Sequence, residues 1–262
     1  MVVVYFDRLS GVSWYWPDVL ATIGNVFEKR YSCFRRILVD VGLNTLVRRF
    51  GKVFYTRGFL DRYVAVCRGF YDCFGGRFSA IVPDYPPVWK GVPVDNYLER
   101  HYEVLLEFSR LGDPFWVGVF RYEGLGISEI ESVADRYGEI LDRFKVLAIP
   151  ARNPIIHPMQ FIEAVKVVKK NFPSKRIHLL GPRMELLRVC YRGICDSLDF
   201  GETMTRINVL KGEYANVTNL NEDERRKLMF SRLEYKGLTA MYWVKVNRLI
   251  SLVEQYIGEV ER

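Results

Sequence analysis

The chain has 262 residues, 49% hydrophobic and 26% charged, with a formal net charge of +7, an ordinary globular composition with material for a large core and no low-complexity linker. Its longest apolar runs hold about five to seven residues, against the roughly 20 that a bilayer crossing needs, so no membrane span is expected. Five cysteines (Cys33, Cys67, Cys73, Cys190, Cys195) with no Cys-x-x-Cys spacing argue against a full disulfide framework or a zinc site and read as buried free thiols.

In chain order, MVVVYFDRLSG has neither a basic leader nor a long apolar stretch. It reads as a strand and not as a signal peptide, and a cytoplasmic protein is expected. Short β-branched or aromatic runs then recur: VVVYF (2–6), RILVDV (36–41), FSAIVPD (78–84), FWVGVF (115–120), KVLAIP (145–150), RIHLLG (176–181) and CDSLDF (195–200), with an eighth candidate at INVLK (207–211). Helical patterns separate most of them. YLERHYEVLLEFSRLG sets Tyr97, Tyr102, Leu105, Leu106 and Phe108 near one face and stops at Gly112. SEIESVADRYGEILDRF opens on a Ser128-x-x-Glu131 capping box, and MQFIEAVKVVKKNFPSK is amphipathic with Pro173 just past its end. Strands alternating with helices mean βα units and a parallel sheet.

Seven strands plus a candidate eighth predict an α/β fold of the TIM-type (β/α)8 barrel. The rival, a doubly wound sheet, is weakened because the first turn, DRLSGVSW, lacks the glycine-rich dinucleotide fingerprint. Past Gly212 the chain changes character. Asn221 caps NEDERRKLMFSRLEY, and LTAMYWVKVNRLISLVEQYIGEV is an amphipathic helix expected to pack on the barrel. The reading is one domain over residues 1–262, with a barrel core to residue 212 and a helical extension over 213–262.

A parallel barrel gathers its active site at the C-terminal ends of its strands. Those ends carry Asp40 in LVDVG, Asp84 in VPDYPP, Arg121 in VFRYEG, Arg152 and Asn153 in PARN, His178 and Gly181 in HLLGP, and Asp199 in SLDFG. Each alone has a bland reading: a loop or capping aspartate, a core histidine, an arginine that neutralises acids. Three carboxylates converging on one mouth carry a functional reading as a group.

These segments, in this order, resemble the tRNA-guanine transglycosylases and their DNA 7-deazaguanine transglycosylase relatives. Asp40-Val41-Gly42 stands where that family has Asp-Ser-Gly-Gly, and IVPDYPP offers Asp84 where it has Phe-Asp-Glu followed by prolines. HLLGPRMELLRVCYRGICDSLDFGETMTR matches its leucine-glycine strand, helix and Asp-x-Phe-Asp step, with Thr205-Arg206 echoing Pro-Thr-Arg. The likeness spans residues 36–206. It departs from the family at Arg121, where a base-reading glutamine would stand, and at Pro150-Ala151-Arg152, which replaces Gly-Gly-Leu and removes one N–H donor. The family's zinc cluster is missing as well: no Cys or His follows Asp199.

The resemblance implies a glycosyltransferase of the pentosyltransferase class, exchanging guanine in tRNA or DNA for a free purine or 7-deazapurine base. No cofactor is expected, and, because the family's zinc cluster is missing, no metal. Asp199 would be the nucleophile that forms a covalent glycosyl-enzyme, Asp40 the general acid and base, and Asp84 an acceptor for the purine's N–H groups. Arg121, Arg152, Asn153, His178 and Gly181 would line the substrate site, with Tyr85 and Phe120 as candidates for an aromatic sandwich around the extruded base. Two other readings stay open: a non-catalytic nucleic-acid-binding or partner subunit of the same fold, homodimeric or paired, and an unrelated barrel enzyme holding a small anionic substrate with Arg121 and Arg152. Basic residues around 35–57 and 166–176 fit phosphate binding or plain solvated helix faces.

Overall fold

The computed structural model describes residues 3–7, 18–23, 35–89, 91–151, 156–181 and 195–200. Its elements run β1 (Val3–Asp7), β2 (Asp18–Thr22), β3 (Arg36–Asp40), α1 (Leu43–Phe50), α2 (Arg57–Phe74), β4 (Phe78–Ile81), a small antiparallel pair β5 (Val88–Trp89) and β6 (Val92–Pro93), α3 (Tyr97–Leu111), β7 (Trp116–Val119), α4 (Ile127–Leu141), β8 (Val146–Pro150), α5 (Pro158–Asn171), β9 (Arg176–Leu180) and β10 (Ser197–Phe200). Eight of these strands close into a barrel in the order β1-β10-β9-β8-β7-β4-β3-β2, with every neighbouring pair parallel. The fold is an α/β barrel of the TIM type.

Seven of the barrel strands coincide with the runs read from sequence, six of them trimmed by one to three residues at an end and β1 shifted one residue on, to Asp7. The eighth does not. It is β2, the segment DVLAT, and it pairs with β1 through Phe6↔Val19 and with β3 through Thr22↔Asp40. Residues 207–211, and the helices expected over 213–262, lie outside the described residues.

Side chains alternate across each strand and thereby separate two apolar regions. Leu38, Ile81, Val117, Val119, Ala148 and Tyr5 fill the barrel interior. Their neighbours Ile37, Val39, Ala80, Val82, Trp116 and Phe120 face outward, into a larger shell closed by the helices. The helices begin and end for local reasons. The Thr56 hydroxyl accepts from Phe59 N–H at 3.2 Å to start α2. Gly112, at φ 72, supplies the left-handed residue that ends α3. At α5 the cap is His157, whose Nδ1 accepts from Met159 N–H at 3.2 Å, and Pro158 follows as the first helical residue. The α4 cap corrects the sequence reading: Gly126 is the cap, and its N–H donates to the Glu129 carboxylate at 2.5 Å, two residues before the Ser128–Glu131 pair. Of the cysteines, Cys67 and Cys195 are buried free thiols, but Cys73 is exposed, against expectation. Cys33 and Cys190 lie outside the described residues.

Two buried details yield measurable consequences. Gly118 sits between inward Val117 and Val119, and a Cβ there would meet the Phe144 ring at 2.7 Å. Gly118→Ala should therefore cost about 1–3 kcal/mol in urea denaturation, and Phe144→Leu in the same chain should recover part of it. His101 on α3 is fully buried, and its Nε2–H donates to the Val119 carbonyl at 2.7 Å, pinning α3 to the end of β7. Burial holds its pKa down at about 4, so between pH 6.5 and about 4 the unfolded chain binds a proton that the folded chain refuses. This contribution to stability is complete above pH 6.5 and is lost progressively as the pH falls towards 4, by roughly 3 kcal/mol in all. Urea midpoints compared at pH 7.5 and 4.5 should fall more steeply in the wild type than in His101→Gln, which keeps a donor and does not titrate.

Candidate active site

All strand ends that carry the candidate residues point to one face of the barrel, because every barrel pair is parallel. Asp40 is the last residue of β3 and, two along from inward Leu38, shares its interior phase. Its side of the mouth is shared with Tyr55, whose hydroxyl donates to the Asp84 carbonyl at 2.9 Å. Burial pushes that hydroxyl's pKa well above its ordinary value; the charges of Asp40 and then Tyr85 add to the rise, and Arg121 opposes it. The Tyr55 hydroxyl is thus bonded to the Asp84 backbone and feels the charges of Asp40 and Arg121.

Asp84 and Arg121 form an ion pair, and the guanidinium also pairs with Glu123, a residue that sequence reading did not single out. These side chains are 6%, 5% and 0% exposed, respectively. Two carboxylates around one guanidinium leave the triad formally one charge negative, so Arg121 is not a spare cation. Backbone donors and hydroxyls hold the frame. Tyr122 N–H donates to Glu123 Oε2 at 3.3 Å, Tyr97 hydroxyl to the Glu123 carbonyl at 2.7 Å, and Tyr122 hydroxyl to the Pro150 carbonyl at 2.6 Å, which ties the end of β7 to that of β8.

Across the ring, Asp199 follows Ser197 by two residues on β10 and is 6% exposed. Its Oδ1 receives two donors: His178 Nε2 at 3.1 Å and Gly181 N–H at 2.9 Å. Gly181, at φ 55, adopts the left-handed conformation just past β9 that a side chain would strain. His178 Nδ1 meets Ser197 Oγ at 2.9 Å, and the Tyr5 ring stands edge-on to the imidazole with centroids 5.9 Å apart. No hydrogen bond to Asp199 Oδ2 is found among the described residues. The site therefore offers a buried carboxylate with one oxygen fixed by two donors.

The sequence-derived residues divide as follows. Asp40, Asp84, Arg121, Gly181 and Asp199 lie at the C-terminal ends of the strands, while His178, expected there too, is the third residue of β9 and reaches the site from below. Phe120 and Tyr85 need correction as sandwich residues. Phe120 is fully buried in the outer shell, out of phase with Val119 and Arg121. Tyr85 is buried there as well, with its hydroxyl accepting from Tyr55 N–H at 3.2 Å and its ring set edge-on to Tyr55. Both rings pack in the outer shell and not among the interior residues. Arg152 and Asn153 lie outside the described residues. Sequence reading passed over Glu123, Tyr55 and Ser197; the two-residue phase from Arg121 to Glu123 and from Ser197 to Asp199 was the signal available. Among the described residues, no group of three or more His, Cys, Asp or Glu is arranged to hold a metal ion, and no helix is long and apolar enough to cross a membrane.

No protein-family model matches the sequence, and no curated protein matches it. Among solved structures, a chain provisionally described as a fructose-1,6-biphosphate aldolase from Coccidioides immitis is similar at 8% identity with a TM-score of 0.34, over 99% of this chain and 87% of that one.

The triad carries its own test. Arg121→Met leaves Asp84 and Glu123 buried without a counter-charge and should cost about 3–5 kcal/mol. Neutralising both acids in the same chain (Asp84→Asn, Glu123→Gln) should restore most of that in urea denaturation. If the triple variant is no more stable than Arg121→Met alone, the loss is one of packing and not of charge.

Proposed function

We propose that this barrel is a base-exchange transglycosylase that replaces guanine in a polynucleotide with a free purine or 7-deazapurine base. The observation that carries the reading is Asp199: a buried carboxylate on the inner wall, with Oδ1 held by two donors and no hydrogen bond to Oδ2 among the described residues. Its placement opposite Asp40 and Asp84, together with the resemblance over residues 36–206, supplies the rest.

In the first step, Asp199 Oδ2 attacks the anomeric carbon and the C–N bond to guanine breaks. The bond's electrons go to the base nitrogen, which takes a proton from Asp40. In the second step, Asp40 removes the ring proton of the incoming base. The freed nitrogen lone pair attacks the same carbon, and the C–O bond to Asp199 breaks, restoring its carboxylate. Asp40 ends as it began, protonated, and no oxidant, reductant or cofactor is consumed. Asp84, steadied by Arg121, keeps one oxygen to accept from the purine's N–H groups, while the guanidinium stands beside it as a donor to ring acceptors.

A specific observation favours a second reading. Arg121 closes over Asp84 and would convert a recognition carboxylate into a structural ion pair, as in a non-catalytic subunit of the same fold that binds nucleic acid or a partner. The third, a barrel enzyme gripping a small anion through Arg121, is disfavoured because two carboxylates already claim that guanidinium.

The full chain incubated with guanine-containing tRNA or DNA and a trapping purine should form a covalent complex that survives denaturing electrophoresis. Asp199→Asn, nearly isosteric and a poor nucleophile, should abolish the adduct while folding and nucleic-acid affinity persist. Asp40→Asn should slow its formation about 10²–10⁴-fold. An undiminished adduct in Asp199→Asn overturns the assignment, and no adduct with either polynucleotide leaves the binding subunit as the account.

A further inference from the structure

Asp199 is held by a chain of hydrogen bonds that begins at a serine on its own strand. Ser197 and Asp199 are two residues apart on β10 and share one face, and the imidazole of His178, from the neighbouring strand β9, lies between them. Its Nδ1 is 2.9 Å from Ser197 Oγ and its Nε2 3.1 Å from Asp199 Oδ1. The register Ser197↔His178 places the three groups in line without any loop. His178 is 2% exposed and its ring is backed by the edge of Tyr5, so the imidazole has little room to swing away.

From this geometry we infer that His178 is a positioning residue for Asp199, and that Ser197 satisfies the ring's other nitrogen. An ionised carboxylate can only accept, so the nitrogen facing it must donate. The serine hydroxyl both donates and accepts and therefore satisfies Nδ1 whether the ring is neutral or protonated, while Nε2–H stays on Asp199 in both states. The Gly181 N–H falls on the same oxygen. Two donors on Oδ1 orient the carboxylate and stabilise it again when it departs from the sugar in the second step. The chemical consequence rests on the reading of Asp199 as nucleophile; the hydrogen-bond relay stands independently of it.

The experiment has two arms. In the first, histidine-¹⁵N NMR of the full chain follows the His178 signals among the three histidines, assigned by their loss in His178→Gln. Nε2 should be protonated, Asp199→Asn should shift it, and Ser197→Ala should shift Nδ1. An unprotonated Nε2, or a signal indifferent to Asp199→Asn, overturns the relay whatever the activity. In the second arm, single-turnover adduct formation is followed in each variant. His178→Leu should slow it about tenfold to a hundredfold while polynucleotide binding persists. His178→Gln, which keeps a donor, should recover most of the rate. A His178→Leu that forms adduct at the wild-type rate, or a His178→Gln no better than His178→Leu, overturns the positioning role. Absence of adduct in the wild type with the NMR signature intact overturns the transglycosylase reading and leaves the relay standing.

Discussion

A strand turns successive side chains to opposite faces, and a closed ring of eight parallel strands gives each side chain one of two places, the interior or the shell under the helices. The interior of this barrel is small and already full: Tyr5, Leu38, Ile81, Val117, Val119 and Ala148 occupy it. The polar side chains of the interior phase gather from that apolar level towards the C-terminal ends of the strands, and the parallel sense puts all those ends on one face. Asp40 two residues beyond Leu38, Arg121 two beyond Val119, and Asp199 two beyond Ser197 follow this rule. Their convergence is a property of the ring and needs no special loop geometry.

What the rule leaves open is how charge survives there. Asp84, Arg121 and Glu123 are almost fully withdrawn from water, and a buried ion pair seldom stabilises a fold more than apolar residues of the same volume would. The outer shell, built from residues such as Trp116, Phe120, Phe78 and Phe108, already supplies apolar burial around the ring. A triad in such a place is better understood through what it presents at the mouth than through what it adds to stability. Its frame consists of backbone contacts, Tyr55 to Asp84 and Tyr97 to Glu123, which hold the two acidic arms about a single guanidinium.

Most of the fold was legible because barrel strands leave a strong trace: VLAIP is apolar throughout and RILVD has an apolar centre, as strands covered on both sides must. The strand β2 left little. DVLAT opens on an acid, has only three apolar residues and follows the aromatic-proline run WYWP, which reads as a loop, so the eighth place was assigned downstream. The carboxylates were legible from their place at strand ends. The aromatic assignments failed for want of phase: Phe120 lies one residue from Arg121, and one residue is the difference between barrel interior and outer shell. The same count applied forward from Arg121 reaches Glu123. The helix cap at Gly126 was illegible for another reason, since a glycine carries no capping side chain and only the Glu129 half of the exchange leaves a signature.

On the proposed reading, the three aspartates take different work because their partners differ in kind. Asp84 faces a guanidinium, which neutralises it and fixes it in place; such a carboxylate is a weak nucleophile and a poor proton carrier, and is suited to accepting hydrogen bonds from a bound base. Asp40, only half-buried at the end of β3, sits where a proton can be taken up and released. Asp199 is held by an imidazole N–H and a backbone N–H, which orient it through hydrogen bonds and not through a guanidinium, so that its second oxygen keeps its electron density for the anomeric carbon. Environments that set like groups apart are how one site runs acid, base and nucleophilic steps together. Exchanging the partners, a cation beside Asp199 or neutral donors beside Asp84, would remove the distinction while leaving every carboxylate in place.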